Sequence, residues 1–149
     1  MRKTAIFLFA LIGVFLIDQG IKQIFLSGYF WDSKCISLEL HYNKGVAFSM
    51  FAFLGQSLKW VQIALVLLLA WLVVSEGWLK KYPLFLGFIA GGAIGNLYDR
   101  FNIGAVVDYV YWHCGFDFAV FNFADVAIDI GVGFIILFEF LQWRKKGNK

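Results

Sequence analysis

The sequence predicts an all-α membrane protein with four transmembrane helices, and three observations support that prediction. Of its 149 residues, 61% are hydrophobic and 15% are charged, whereas soluble domains carry about 25% charged residues. Four apolar segments approach or reach the roughly 20 residues that a membrane-spanning helix needs. The basic residues also gather at those segment ends that a four-span chain would place on one side. A chain of this length is expected to form one domain, residues 1–149.

The four predicted spans follow from the apolar runs. They cover about 4–26, 57–79, 83–100 and 122–143, and the two longer loops cover about 27–56 and 101–121. The third span is long enough only if its polar end, NLYDR, is included. The first is followed by DQGIKQIF, which offers no small-residue cleavage site. We therefore expect the first segment to remain in the protein rather than leave as a signal peptide.

The charge distribution predicts the orientation of the spans. Eight of the thirteen basic residues fall on one side of a four-span chain: Arg2, Lys3, Lys80, Lys81, Arg144, Lys145, Lys146 and Lys149. Because Lys and Arg concentrate in cytoplasmic loops, both termini are expected in the cytoplasm and both long loops outside it. The net charge of +3 then reflects topology and indicates no nucleic-acid partner. Cys35 and Cys114 fall in the outer loops, where an oxidising compartment would allow a disulfide that their spacing does not require.

Ionisable side chains inside these spans are costly, about 2.5 kcal/mol or more at mid-bilayer, so each of them needs an explanation. Asp18 and Lys22 lie one helical turn apart with the acid first, the favourable order for a pair on one face. They would form either part of a site or an interfacial ion pair in which Lys22 extends to the membrane surface. Glu76 and Glu139 lie near inner span ends and are assigned no role.

The third span combines a glycine stripe with a polar end. Its glycines repeat every four residues, at Gly87, Gly91 and Gly95. Such a stripe predicts that another helix backbone approaches closely. The stripe leads into Asn96, Asp99 and Arg100, where the two charges are either helix-end residues at the interface or part of a site.

Two aspartates stand in contrasting settings. Asp108, in GAVVDYVYW, is either a loop residue or a carboxylate held in apolar surroundings, where burial would raise its pKa. In FNFAD, Asn122 and Asp125 have the spacing of an N-cap and its reciprocal partner, and the helix dipole favours an anion there. Asp125 thus has a structural role of its own. Asp129, one turn deeper on the same face, has none.

The polar residues nevertheless converge at the outer ends of the predicted spans. They are Asp18, Asn96, Arg100, Asp108, Asn122 and Asp125, and LHYNKGVAFSMF adds Asn43 and Gly45 in what suits a strand–turn element at the membrane surface. Two carboxylates from separate elements can share a proton and act as general acid and base, as in aspartic proteases. That chemistry requires no metal. With two histidines, His41 and His113, and no HExxH, a zinc site is not expected.

Five stretches, in order along the chain, resemble the motif blocks of the lipoprotein signal peptidase (signal peptidase II) family. They are DQGIK (18–22), NKGVAF (43–48), GGAIGNLYDR (91–100), GAVVDY (104–109) and FNFAD (121–125). The resemblance implies a bacterial inner-membrane aspartic endopeptidase without cofactors. Its substrate would be a diacylglyceryl-modified prolipoprotein, cut just before the lipidated cysteine. It also implies a small extracytoplasmic β-rich platform, at about residues 31–55.

The same resemblance assigns roles to residues. The catalytic aspartates are expected to be Asp108 and Asp125, with Asp125 hypothesised as the base and Asp108 as the initially protonated acid. The supporting or substrate-binding residues are expected to be Asp18, Lys22, Asn43, Gly45, Asn96, Asp99, Arg100 and Asn122. Two positions depart from the family pattern. Tyr109 stands where Phe is usual, and Asp129 is an acid where a neutral or weakly polar residue is expected.

Two hypotheses from other classes compete with the peptidase. A small proton-coupled transporter would use the intramembrane acids as a relay, but its carboxylates would be distributed across the bilayer, whereas these cluster at one end. A non-catalytic adaptor would use the polar residues to hold helices together, and would tolerate Asn at Asp108 and Asp125. The expected partners of the peptidase are the prolipoprotein and membrane lipid, with the enzyme acting as a monomer.

Overall fold

The computed structural model describes residues 1–45, 57–116 and 118–147. Its elements, in order, are α1 (Arg2–Leu26), β1 (Trp31–Asp32), β2 (Ile36–Asn43), α2 (Leu58–Ser75), α3 (Trp78–Lys81), α4 (Pro83–Asn102), β3 (Val106–Trp112) and α5 (Phe123–Gly147). Four long helices thus lie where the four apolar segments predict them. Two of the described helices, α1 and α2, are long and apolar enough to cross a membrane by length and composition. The other two, α4 and α5, have 20 and 25 residues and carry several polar residues near one end.

Helix α2 is shorter than its predicted span because of one glycine. Gly77 adopts a left-handed backbone conformation, with φ of 67°, which a residue with a side chain rarely takes. The chain turns there, forms the short helix α3, and turns again at Tyr82. Pro83 then lies in the first turn of α4. A backbone N–H at that position has no partner within the helix, so a proline there costs no hydrogen bond.

The glycine stripe of α4 packs against α1, as predicted. A Cβ atom at Gly87 would lie 2.7 Å from the carbonyl oxygen of Phe7, and one at Gly91 would lie 2.7 Å from that of Leu11. At Gly95 the added atom would meet Asp18 Oδ2 at 2.5 Å. Only glycine permits this approach, and it brings the polar end of α4 against the acid of α1.

A second set of glycines packs α4 against α5. A Cβ atom at Gly92 would lie 2.5 Å from the carbonyl oxygen of Ala124, and one at Gly131 would lie 2.7 Å from that of Phe85. Helix α4 is therefore the central helix, with α1 and α5 on its two sides. Toward the other end of these helices lies a cluster of buried side chains: Val73, Tyr82, Leu86, Ile89 and Ile135.

The two long loops contribute to one antiparallel sheet of order β1-β2-β3. Strands β1 and β2 lie within the predicted platform, whose residues 46–55 are outside the described residues, as are the last three positions of NKGVAF. The third strand comes from the second loop, which carried no strand prediction. Asn43 pairs with Val106 and His41 with Asp108, with an irregularity between Leu38 and His41. This pairing places Asn43 beside the strand that carries Asp108.

A disulfide closes the far end of the sheet. Cys35, just before β2, is bonded to Cys114, just after β3, and the two residues are 79 positions apart in the chain. The pairing that the sequence left open is therefore present. It fastens together the two strands that carry Asn43 and Asp108.

Candidate active site

Helix α5 begins with the reciprocal cap that FNFAD predicts. Asn122 Oδ1 accepts the backbone N–H of Asp125 at 3.0 Å, and Asp125 Oδ2 accepts the backbone N–H of Asn122 at 3.1 Å. Each side chain satisfies a donor that the first helical turn leaves free. The cap also fixes the position of the Asp125 carboxylate.

The remaining free donors of that turn are satisfied from other elements. The N–H of Phe123 donates to the hydroxyl oxygen of Tyr109 on β3 at 2.9 Å, and the N–H of Ala124 donates to Asp18 Oδ1 on α1 at 3.0 Å. Tyr109, noted as a departure from the family pattern, therefore has a function in this chain, because phenylalanine has no hydroxyl. These contacts fix the start of α5 relative to both α1 and β3.

Lys22 lies at the centre of a buried ionic cluster. Its Nζ lies 2.8 Å from Asp18 Oδ2 and 2.7 Å from Asp99 Oδ2, and it donates to Asn96 Oδ1 at 3.0 Å. Only 1% of the Lys22 side chain is exposed, so the alternative of an interfacial pair with Lys22 at the membrane surface is wrong. Asp99 is likewise buried rather than a helix-end charge at the interface. Buried ion pairs persist where hydrogen bonds complete them, as they do here.

Gln19 is a member of this cluster that the sequence analysis missed. Its Nε2 donates to Asp99 Oδ1 at 3.0 Å and to Asp18 Oδ2 at 3.2 Å, so it bridges the two acids. Asp99 Oδ2 also accepts the N–H of Val107 at 3.2 Å and thereby links α4 to the strand of Asp108. The available signal was the position of Gln19 within DQGIK, between the two predicted site residues.

Asp108 lies in apolar surroundings, the second of its two sequence alternatives. It is 2% exposed and stands between buried Val107 and Tyr109. Its Oδ2 accepts from Asn43 Nδ2 at 2.9 Å and its Oδ1 from Asn122 Nδ2 at 2.7 Å. Burial raises the pKa of Asp108 to about 6; the charge of Asp125 acts in the same direction, and the two amide hydrogen bonds oppose it.

Asp125 and Asp108 are linked through two amides. Asn96 Nδ2 donates to Asp125 Oδ1 at 2.8 Å. Asn122 holds both acids, since its backbone N–H donates to Asp125 and its side-chain amide donates to Asp108. Asn122 Nδ2 also contacts Asn96 Oδ1 at 3.0 Å, which joins the two amides to each other. All four carboxyl oxygens therefore have defined donors.

Both aspartates line one cavity of about 570 Å³. Its polar lining also includes Asn43, Gln62, Asn96, Arg100 and Asp129, and α2 contributes apolar side chains. Arg100 donates from Nη1 to Gln62 Oε1 at 2.7 Å and from Nη2 to the carbonyl oxygen of Gly45 at 2.5 Å. Gln62 was missed by the sequence analysis, although a lone amide within an apolar span was a usable signal.

The structure thus brings the predicted site residues together in two layers. Asp108 and Asp125 face the cavity with Asn43, Asn96 and Arg100, whereas Asp18, Lys22 and Asp99 lie behind them. Gly45 belongs to the cavity-facing layer through its backbone, since its N–H donates to Asn43 Oδ1 at 2.9 Å and its carbonyl oxygen accepts from Arg100. Within the described part of the chain, no three His, Cys, Asp or Glu side chains are grouped as metal ligands.

Comparison with solved structures identifies the class of fold. A bacterial membrane enzyme determined at 2.3 Å by the in meso method superposes with a TM-score of 0.78, over 96% of this chain and 90% of the other, at 24% identity. A second bacterial membrane enzyme structure, at 1.9 Å, gives a TM-score of 0.73 over 88% of this chain. This chain shares the fold of these two structures.

Comparison of sequences identifies the family. The family model described as signal peptidase (SPase) II matches residues 10–141. Proteins named lipoprotein signal peptidase are similar to this chain: that of Sulfurovum sp. (strain NBC37-1) is 60% identical over 92% of the chain and 94% of its own length, and that of Sulfurimonas denitrificans 53% over 94% and 91%. The relative from Helicobacter acinonychis is 46% identical over 100% and 98%.

The chain belongs to the signal peptidase II family, a family of peptidases that cleave signal peptides from prolipoproteins. The resemblance inferred from the five motif blocks is therefore confirmed. A transporter finds no support in these comparisons.

Proposed function

We propose that Asp108 and Asp125 form the catalytic pair that hydrolyses the signal-peptide bond. The observation that carries the proposal is their common setting: both line one cavity, and Asn122 donates hydrogen bonds to both. Two carboxyl groups held in this way can bind a water molecule and a peptide carbonyl between them. Neither group needs a metal ion to perform acid–base chemistry.

Asp125 is proposed as the general base. It occupies the third position of α5, where the helix dipole favours an anion, and it accepts hydrogen bonds from Asn96 and from the backbone of Asn122. The carboxylate removes a proton from water as the oxygen attacks the scissile carbonyl carbon. That proton later passes to the departing amine, which restores the carboxylate.

Asp108 is proposed as the general acid. Burial raises its pKa to about 6, and a bound apolar peptide that excludes water raises it further. The protonated group donates to the carbonyl oxygen as the tetrahedral intermediate forms and takes the proton back when the C–N bond breaks. Asn43 and Asn122 hold the carboxyl in place during both steps.

The proposed substrate is a diacylglyceryl-modified prolipoprotein, cut just before its lipidated cysteine. The name of the relatives supports the substrate class. The cavity suits such a molecule because α2 lines it with Leu58, Val61 and Leu65, while polar groups line the catalytic side. Membrane lipid would surround the enzyme, and one chain supplies both aspartates, so we propose that it acts as a monomer.

The proposed topology has four spans, α1, α2, α4 and α5, in the bacterial inner membrane with both termini in the cytoplasm. The positions of the long helices and of the basic residues support it. The disulfide supports it independently, because Cys35 and Cys114 lie at the opposite end from the termini, where an oxidising periplasm would allow the bond.

A cleavage assay tests the catalytic proposal. Purified enzyme is incubated with diacylglyceryl-modified prolipoprotein, and loss of the signal peptide is followed by gel shift for the wild type, Asp108→Asn and Asp125→Asn. Both variants are expected to lose about a thousandfold in rate, the typical contribution of a general acid or base. Substantial turnover by either variant would contradict the shared pair, and equal cleavage of unlipidated substrate would contradict the proposed specificity.

Thiol labelling tests the topology. Both cysteines are engaged in the disulfide, so a single introduced cysteine is readily assigned. In intact cells, an impermeant maleimide is expected to label Ser27→Cys and to spare Glu76→Cys until the membrane is opened. The reverse pattern would overturn the orientation.

A further inference from the structure

Asp129 is a carboxylate in the cavity that the proposed mechanism does not use. It lines the same cavity as Asp108 and Asp125 and is exposed. Within the described part of the chain it forms neither a hydrogen bond nor an ion pair. Of the residues outside that part, 46–56 and 117 include no Lys or Arg, and the remaining two, 148–149, end the chain.

Arg100 lines the same cavity, but it forms no ion pair with Asp129. Both of its terminal nitrogens donate to other groups, to Gln62 and to the carbonyl oxygen of Gly45. An ionised carboxylate only accepts hydrogen bonds, and leaving it unmatched beside an apolar ligand is costly. The side of the cavity that α2 forms is lined mainly by apolar side chains, which cannot donate hydrogen bonds to Asp129. A substrate that occupies the cavity can supply the donor that Asp129 lacks among the described residues.

We propose that Asp129 determines substrate specificity by accepting a hydrogen bond from a side chain of the signal segment, of the hydroxyl or amide class. The inference rests on the proposed function and extends it. Asp129 lies one turn beyond Asp125, about 6 Å further along the axis of α5 and away from its outer end. In the proposed topology, that is the direction in which the signal segment enters the membrane.

The distance selects the substrate position. An extended peptide advances about 3.3 Å per residue, so 6 Å corresponds to the second residue before the cut. A helical peptide advances 1.5 Å per residue, and the same distance then corresponds to the fourth. A hydroxyl at either position would otherwise lie in hydrocarbon without a partner, so its recognition by Asp129 benefits both groups.

The experiment compares isosteric substrates. Diacylglyceryl-modified prolipoproteins that carry Thr or Val at the second or the fourth position before the cut are cleaved by full-length enzyme in lipid nanodiscs. The quantity measured is the ratio of kcat/KM for Thr over Val. The wild type is expected to give a ratio of about ten or more at one of the positions, as for hydrogen bonds to a charged group. Asp129→Leu is expected to bring the ratio close to one, and Asp129→Asn, which keeps one acceptor oxygen, to about three.

The ratio compares two substrates of the same enzyme preparation, so partial unfolding of a variant does not change it. If Asp129→Leu does not fold, Asp129→Asn supplies the comparison. Glu76→Gln, which removes an exposed carboxylate remote from the cavity, is the matched control and is expected to keep the wild-type ratio. A wild-type ratio near one at both positions, or a ratio that Asp129→Leu and Asp129→Asn leave unchanged, overturns the inference alone. A wild type that cuts none of the substrates overturns the proposed function, and the inference with it.

Discussion

Replacing Asp108 by Asn should change the pH dependence of stability as well as activity. Folding raises the pKa of Asp108 from an ordinary value of 3.8 to about 6, chiefly through burial. Between these values the folded state binds more protons than the unfolded state, so the free energy of unfolding falls as the pH rises. At about 1.4 kcal/mol per pKa unit, the ionised group costs the folded protein about 3 kcal/mol at neutral pH.

Asparagine at position 108 removes that cost but loses one hydrogen bond. Two donors, from Asn43 and Asn122, face the two oxygens of Asp108, and the amide of Asn offers only one acceptor. A lost hydrogen bond costs about 1 kcal/mol. The variant is therefore expected to be about 2 kcal/mol more stable than wild type at pH 7.5, and about 1 kcal/mol less stable at pH 3.5.

Denaturant unfolding in detergent micelles, followed by tryptophan fluorescence from pH 3.5 to 7.5, measures the effect. Glu76→Gln serves as the control, because it removes an exposed carboxyl outside the site. The control is expected to retain the fall in stability between pH 4 and 6 that Asp108→Asn loses. Parallel stability curves for wild type and Asp108→Asn would refute the burial argument.

Three further predictions concern the framework of the site. Lys22→Met leaves two buried acids without their cation and should lower the free energy of unfolding by about 3–5 kcal/mol in denaturant unfolding. The same change at exposed Lys3 should have little effect. Equal effects would show that the buried cluster is not stabilising. Gly91→Ala places an atom 2.7 Å from a backbone oxygen of α1 and should lower the free energy of unfolding by about 1–3 kcal/mol. At Gly13 the added atom meets nothing within 4 Å, so Gly13→Ala should not lower it. A Gly91→Ala variant as stable as wild type would contradict the close helix contact. Cys35→Ser opens a loop closed over 79 residues and should lower the free energy of unfolding by up to about 4 kcal/mol. Reduction of the disulfide in the wild type should have the same effect. A free energy of unfolding that neither change lowers would mean that the disulfide does not restrain the unfolded chain.

The features predicted correctly from the sequence are those that neighbouring residues determine. The cap of α5 depends on Asn122 and Asp125, three positions apart. The glycine stripe depends on a four-residue repeat, because side chains at that spacing share one helix face. The pairing of Asp18 with Lys22 follows from the same geometry. In each case the helix itself brings the groups together.

The features missed depend on contacts between distant parts of the chain. Strand β3 forms because it pairs with β2, about 65 residues earlier in the chain. Its β-branched and aromatic residues do not by themselves distinguish it from a loop beside the membrane. The bond from Ala124 to Asp18 spans 106 positions, and Gln62 reaches the site only once α2 lies beside α4. The burial of Lys22 was missed for the same reason, because the second acid that it contacts, Asp99, lies on another helix.

The cap of α5 has a practical consequence. The carboxylate of Asp125 receives one hydrogen bond from a backbone N–H and one from Asn96, and asparagine can accept the first through its own oxygen. Asp125→Asn should therefore start the helix in the same place and leave the cavity open, while it can no longer take a proton from water. A chain of that kind would retain uncut prolipoprotein and allow the enzyme–substrate complex to be isolated from the membrane.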